Sequence, residues 1–191
     1  MGRILYILAE MARKPAARRS IKVNRAPVLT LWAAVVAERL GFRRDEALTL
    51  GRAVAGLNAY SKGVSLGLFK PTPKEVRERR RKLRARETIT VELLHRAVPA
   101  VHTEDGLRAV TKGAPINSDS VERYLEGKFA DALGDVRSAM TAVARSYTPA
   151  ELSASAYTLY TKFRPEVPEG KKGWGAAGTL SLAKIRGLAS S

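Results

Sequence analysis

The chain contains no cysteine, which removes disulfide scaffolds, thiolate zinc sites, iron–sulfur clusters and thiol catalysis together. It has only two histidines, and aromatic residues make up 6% of the chain, so metal chemistry has few nitrogen donors and each tryptophan needs a reason. Long apolar runs are missing as well. The longest, about Ala26 to Ala37, falls short of the roughly 20 residues that a spanning helix requires. The sequence shows no nucleophile elbow, no phosphate-binding loop and no paired metal motif, so no specific reaction is legible and the balance leans to a non-enzyme, with no cofactor or metal expected.

Acid is the scarce sign of charge. Against 34 Lys and Arg stand 18 Asp and Glu, a net of +16 in 191 residues, with 45% apolar residues to build a core. Such an excess favours polyanionic partners and is silent about fold. The imbalance is also local: residues 1–86 hold 21 Lys and Arg against 6 Asp and Glu, and residues 87–191 hold 13 against 12. Two runs carry most of it. One comprises Arg13, Lys14, Arg18, Arg19, Lys22 and Arg25, and the other lies between Lys74 and Arg86.

The helical signals are clear in places. Pro27 fits a first helical turn, Val28 to Leu40 has the apolar spacing of a buried helix, and Gly41 ends it. A second helix is expected from about Asp45 to Tyr60, stopped by Gly63. Thr72-Pro73-Lys74-Glu75 and Thr148-Pro149-Ala150-Glu151 both read as a Thr cap, Pro in the first turn and a Glu that bonds back. Asp119 with Glu122 opens a further helix that Gly127 and Gly134 would bend or break. Strand character is confined to Thr88–Leu94, Val98–Val101 and Leu107–Val110, with Asp105-Gly106 as a hairpin turn.

The fold expected from these signals is mainly α: a multi-helix bundle core with a small β-hairpin insert and a basic N-terminal arm. Its segments are a basic amphipathic or flexible arm over 1–26, a helical hairpin over 27–70, a basic helix over 71–87, the hairpin insert over 88–116 and a helical C-terminal part with a glycine-rich loop over 117–191. At the start of the chain, Ile4 to Ala9 is too short for a secretory core of about 7–15 residues, and Tyr6 breaks the myristoylation pattern. Ile4, Leu8 and Met11 share a helical face ahead of basic residues, which in a eukaryotic chain reads as an organellar presequence and otherwise as a short amphipathic helix.

The stretch Ala37-Glu38-Arg39-Leu40-Gly41-Phe42, followed by Ala47 and Leu50, resembles the helix-turn-helix pattern of DNA-binding proteins over about 20 residues. The resemblance implies a second helix that enters a DNA groove. The sequence departs from it there, because that helix begins Asp45-Glu46 and has Arg52 as its only basic residue before Lys62. Carboxylates facing phosphates would be repelled, so a buried helical hairpin is the stronger reading of these residues, with Arg43 and Arg44 in the turn able to touch phosphate in either case.

The helix from Pro73 to Arg86 is the better contact surface. Only Val76, Leu83 and Ala85 are apolar, and the pairs Glu75–Arg79 and Glu78–Lys82 have favourable four-residue spacing. That leaves Arg77, Arg80, Arg81, Arg84 and Arg86 for phosphates. Gly173-Trp174-Gly175-Ala176-Ala177-Gly178 fits the dinucleotide fingerprint in letters only, since no βαβ unit surrounds it. Trp174 reads either as a core plug or, with Lys171 and Lys172, as a stacking platform. The carboxylates Asp119, Glu122 and Glu126 read as a solvated face, and Glu92-Leu93-Leu94-His95 supplies one half of a di-iron motif that requires two.

Three functions from different classes follow. The first is a non-enzymatic nucleic-acid-binding protein, cytoplasmic or nucleoid-associated, with weak sequence selectivity through Arg13, Lys14, Arg18, Arg19, Arg43, Arg44 and the basic helix. The second is an adaptor or assembly subunit whose basic helix docks an acidic protein. The third is an enzyme, whose expected sign is a pocket joining the hairpin, His95 or His102 and the Trp174 loop.

Overall fold

The computed structural model describes residues 20–84, 88–171 and 175–189. In chain order it runs β1 (Ser20–Asn24), α1 (Arg25–Arg39), α2 (Arg44–Ser65), α3 (Lys74–Arg84), β2 (Ile89–Leu93), β3 (Arg96–Thr103), β4 (Gly106–Thr111), β5 (Ala114–Pro115), α4 (Ser118–Phe129), a short 3-10 turn (Ala130–Ala132), α5 (Leu133–Arg145), α6 (Pro149–Phe163), β6 (Ala177–Ser181) and α7 (Leu182–Gly187).

The centre of the fold is α1. Every residue from Pro27 to Ala37 is buried, and Val28 through Ala34 have no exposed surface at all, so the helix is apolar all round because it is covered all round. It is packed by α2, α4, α5, α6 and β1. Trp32 anchors it: the indole N–H donates to the Ala156 carbonyl at 2.8 Å, and the ring meets Phe163 edge-on at 5.3 Å. Tyr160 continues this aromatic cluster and donates its hydroxyl to the Arg25 carbonyl at 3.3 Å; burial holds that phenol protonated well above its ordinary range. The crossing of α1 and α2 depends on Gly51, where a β-carbon would stand 2.8 Å from the Ala34 amide nitrogen. Gly41, with φ +103°, makes the turn between the two helices.

The expectation of a helical bundle with a hairpin insert is overturned: the fold is mixed α/β, with two antiparallel sheets of two and four strands beside the helices. The Asp105-Gly106 turn belongs to a four-stranded meander, β2-β3-β4-β5, which lies on α2 through β3 and β4. Its β2–β3 turn is Leu94-His95, both at positive φ (49° and 57°), in place of the Asn-Gly such a turn favours. Burial of Leu94 and a hydrogen bond between His95 Nε2 and the Ala154 carbonyl at 3.1 Å hold it there. Nor is the basic stretch before α1 wholly an arm, because Ser20–Asn24 pairs antiparallel with Ala177–Ser181, setting Ile21 opposite Leu180 and Val23 opposite Gly178.

Helix boundaries follow the caps where the cap is used. Thr148 and Glu151 bond reciprocally at the start of α6, at 3.3 and 2.9 Å, as their spacing predicts. At Thr72 the hydroxyl instead meets the Tyr60 hydroxyl at 3.0 Å, and α3 begins two residues later. The cap of α4 is Asn117, which accepts from the Ser120 amide, rather than Asp119. The following break falls at Ala130, φ +48°, between the two glycines expected to cause it. Gly63 does not stop α2, which continues to Ser65, because this glycine serves to seat the Phe69 ring. Among the described residues no helix is long and apolar enough to cross a membrane.

Candidate functional site

Two parts of the molecule collect polar groups, and they treat charge in opposite ways. The first is a cleft of about 880 Å³ between the start of α2, the β3–β4 turn and the start of α4. Arg108, with 9% of its side chain exposed, donates to Asp45 Oδ2 at 2.7 Å and to the carbonyls of Leu107 and Asp105 at 3.0 and 3.2 Å. Glu46 bonds back to the Arg43 amide at 3.1 Å and accepts the Leu107 amide at 2.9 Å, so one carboxylate caps α2 and pins β4 to it.

Burial works to raise both carboxyls, but it is outweighed. The Arg108 guanidinium, the Glu46 amide and Arg43 hold Asp45 below its ordinary value. The Leu107 and Arg43 amides, with the Arg43 charge, do the same for Glu46. Carboxylates held ionised and fully engaged are poorly matched to proton transfer near neutral pH, so this constellation locks structure.

Arg43 and Arg44, expected as phosphate contacts, belong to this locked part. Arg43 donates to the Asp105 carbonyl and lies 3.4 Å from Glu46 and 3.5 Å from Asp45. Arg44 pairs with Glu122 across to α4 at 2.5 Å. The first turn of α2, which the helix-turn-helix resemblance would send into a groove, therefore sits against the β3–β4 turn. Arg52, farther along α2, stands over the Tyr124 ring at 4.5 Å.

The second part is open. From Ser65 to Arg79 every residue is exposed except Thr72, which is half-buried. The chain leaves α2, passes through Leu66-Gly67-Leu68-Phe69-Lys70-Pro71 and enters α3, whose residues Lys74 to Arg79 all face solvent. Lys62, Lys70, Lys74, Arg77 and Arg79 make no ion pair with another described residue, and the expected Glu75–Arg79 bridge is not closed.

Arg80, Arg81 and Arg84 continue along α3, Lys74–Arg84. Arg13, Lys14, Arg18, Arg19, Arg86 and Trp174 lie outside the described residues. Glu92 lies in β2 opposite Ala97 and His95 in the β2–β3 turn, engaged with α6, and among the described residues no group of three or more His, Asp and Glu could hold a metal ion.

Sequence reasoning missed the aromatic part of the open region. Tyr60 and Phe69 stack with ring centroids 6.2 Å apart and planes 10° from parallel, and both are exposed. The available signal was Leu66-Gly67-Leu68-Phe69, an apolar run without helical period directly before Lys70-Pro71, where a core residue has no helix or strand to bury it. No family model matches the chain, and no curated protein or solved structure gives a match to it.

Proposed function

We propose that this protein binds nucleic acid without catalysing a reaction, neutralising phosphates along the exposed stretch from Lys62 into α3. The observation that carries the reading is the contrast in how basic side chains are spent. Arg43, Arg44, Arg108 and Arg137 are paired with carboxylates of the fold, whereas Lys62, Lys70, Lys74, Arg77 and Arg79 are exposed and unpaired among the described residues. Exposed, unpaired cations on a helix that the core does not bury are what phosphate contact requires, and Arg80, Arg81 and Arg84 continue the basic run in sequence. Backbone contact of this type gives weak sequence selectivity. Arg13, Lys14, Arg18 and Arg19 add to the same basic footprint in sequence, and a cytoplasmic or nucleoid location follows from such a ligand.

Fluorescence anisotropy with labelled duplex DNA, single-stranded DNA and RNA across a salt series tests the proposal. Binding that weakens linearly in log salt is expected; absence of binding to all three at low salt would sink it. One observation favours the adaptor reading instead, the 67% exposure of Leu68 beside these cations, since an apolar side chain suits a protein partner. Stoichiometric capture of one acidic protein from nuclease-treated lysate, with no nucleic acid bound by the pure protein, would replace the first reading with the second.

A further inference from the structure

The connector between α2 and α3 exposes more carbon than its basic surroundings explain. Leu66, Leu68 and Phe69 are 37%, 67% and 52% exposed, and Tyr60, near the end of α2, is 42% exposed. Phe69 is not a loose side chain. Its ring rests against Gly63, where a β-carbon would collide with it, and its amide donates to the Gly63 carbonyl at 3.2 Å, beside that of Leu68 at 2.9 Å. Tyr60, stacked on it, accepts the Thr72 amide at 3.1 Å through its hydroxyl. Two aromatic rings are thus fixed in place at the surface by α2 on one side and the start of α3 on the other.

Cations frame this pair through the chain itself. Lys62 precedes the glycine under Phe69, Lys70 follows Phe69, and Lys74 stands two residues beyond the threonine bonded to Tyr60; all three are exposed. A duplex could use those lysines, but its bases are stacked on one another inside the helix and none is available to a protein ring. A single strand offers phosphates and base faces together, and rigid aromatic rings between cations match both.

We infer that the ligand is single-stranded nucleic acid and that Phe69, backed by Tyr60, is the platform on which a base stacks; this rests on the nucleic-acid reading above. An anionic membrane would also meet the lysines. Insertion into it favours apolar side chains that project freely, whereas Phe69 is seated on Gly63 and held against Tyr60.

The test compares full-length wild type with Phe69→Leu, which keeps an apolar side chain over Gly63 and removes the ring, and with Leu68→Ser at the neighbouring, more exposed position. Affinity is measured for a labelled single strand, its duplex and vesicles rich in phosphatidylserine. Phe69→Leu is expected to weaken single-strand binding roughly tenfold, within the range for loss of one stacked base, and to leave duplex binding unchanged. Leu68→Ser should leave both unchanged. Wild type should prefer the single strand.

Equal affinity for strand and duplex, unaffected by Phe69→Leu, overturns the stacking inference and leaves phosphate binding standing. Binding to vesicles that Leu68→Ser abolishes, with no nucleic acid bound, overturns both. Should Phe69→Leu fail to fold, Phe69→Trp supplies the same decision. Its added indole fluorescence quenches beyond the wild-type signal on single strands and not on duplex if a base stacks there, and equal quenching by the two forms rejects the stack.

Discussion

The locked cleft and the open connector are built from the same residue types and put them to opposite use. At the start of α2, Arg43, Arg44 and Arg108 are consumed by Asp45, Glu46, Glu122 and backbone carbonyls, fastening the meander and α4 onto the central helix pair. Earlier in the chain than Arg108, on α3 and its approach, Lys70, Lys74 and Arg77 fasten nothing in the described fold. Net charge alone treats these groups as equal. The difference teaches that a charge excess points to a ligand only after the cations that hold the protein together have been subtracted.

The comparison breaks first if the two regions fail to separate stability from binding. Trp32→Ala removes the buried anchor of α1 together with its hydrogen bond to the Ala156 carbonyl, and is expected to cost about 3–5 kcal/mol in chemical denaturation, with binding per folded molecule unchanged. Asp45→Asn leaves the Arg108 guanidinium enclosed without its charged partner. It should cost about 1–3 kcal/mol in the same measurement and should not weaken nucleic-acid binding.

The smallest effect sharpens the comparison by pH. Asp45 and Glu46 are held below their ordinary values of 3.8 and 4.5, so the stability they contribute is whole above those values and is lost as pH falls through the lowered values of the folded state. Urea midpoints should therefore be steady near neutrality and drop below about pH 4, and the drop should be shallower in Asp45→Asn with Glu46→Gln than in wild type. An equally steep drop in that variant would remove these carboxylates from the account of the cleft.

How much of this was legible depended on whether a local signal had a local cause. The burial of α1 was written in an apolar run that spares no face, and the start of α6 in Thr148 and Glu151, which satisfy each other within one turn. The pairing of β1 with β6 was not legible. Lys22 and Thr179, hydrogen-bonded at 2.9 Å across it, are 157 residues apart, and a five-residue alternation of Ile21 and Val23 among basic residues names no partner.

The Leu94-His95 turn was hidden for a related reason: tertiary burial of Leu94 sustains a backbone geometry that neither residue favours alone. At the candidate site, the exposed basic helix was legible from its composition. The engagement of Arg43 and Arg44 was not, because Glu122 is brought to Arg44 only by the packing of α4 on α2. Phe69 was missed because its seat is tertiary: Gly63 under the ring and Tyr60 beside it are brought to it only by the fold of the connector back onto α2.

The most direct measurement of the central claim is the salt dependence of nucleic-acid binding in two charge-matched variants. One is Arg43→Gln with Arg44→Gln, and the other is Lys74→Gln with Arg77→Gln. On a single strand each lost phosphate contact removes about 0.7 from the slope of log affinity against log salt. The Lys74 and Arg77 variant is expected to lose roughly 1.4 of slope with stability within about 0.5 kcal/mol of wild type. The Arg43 and Arg44 variant should keep its slope and lose stability. Equal loss of slope in both variants, or loss only in the Arg43 and Arg44 variant, would contradict the division of the molecule into spent and unspent charge.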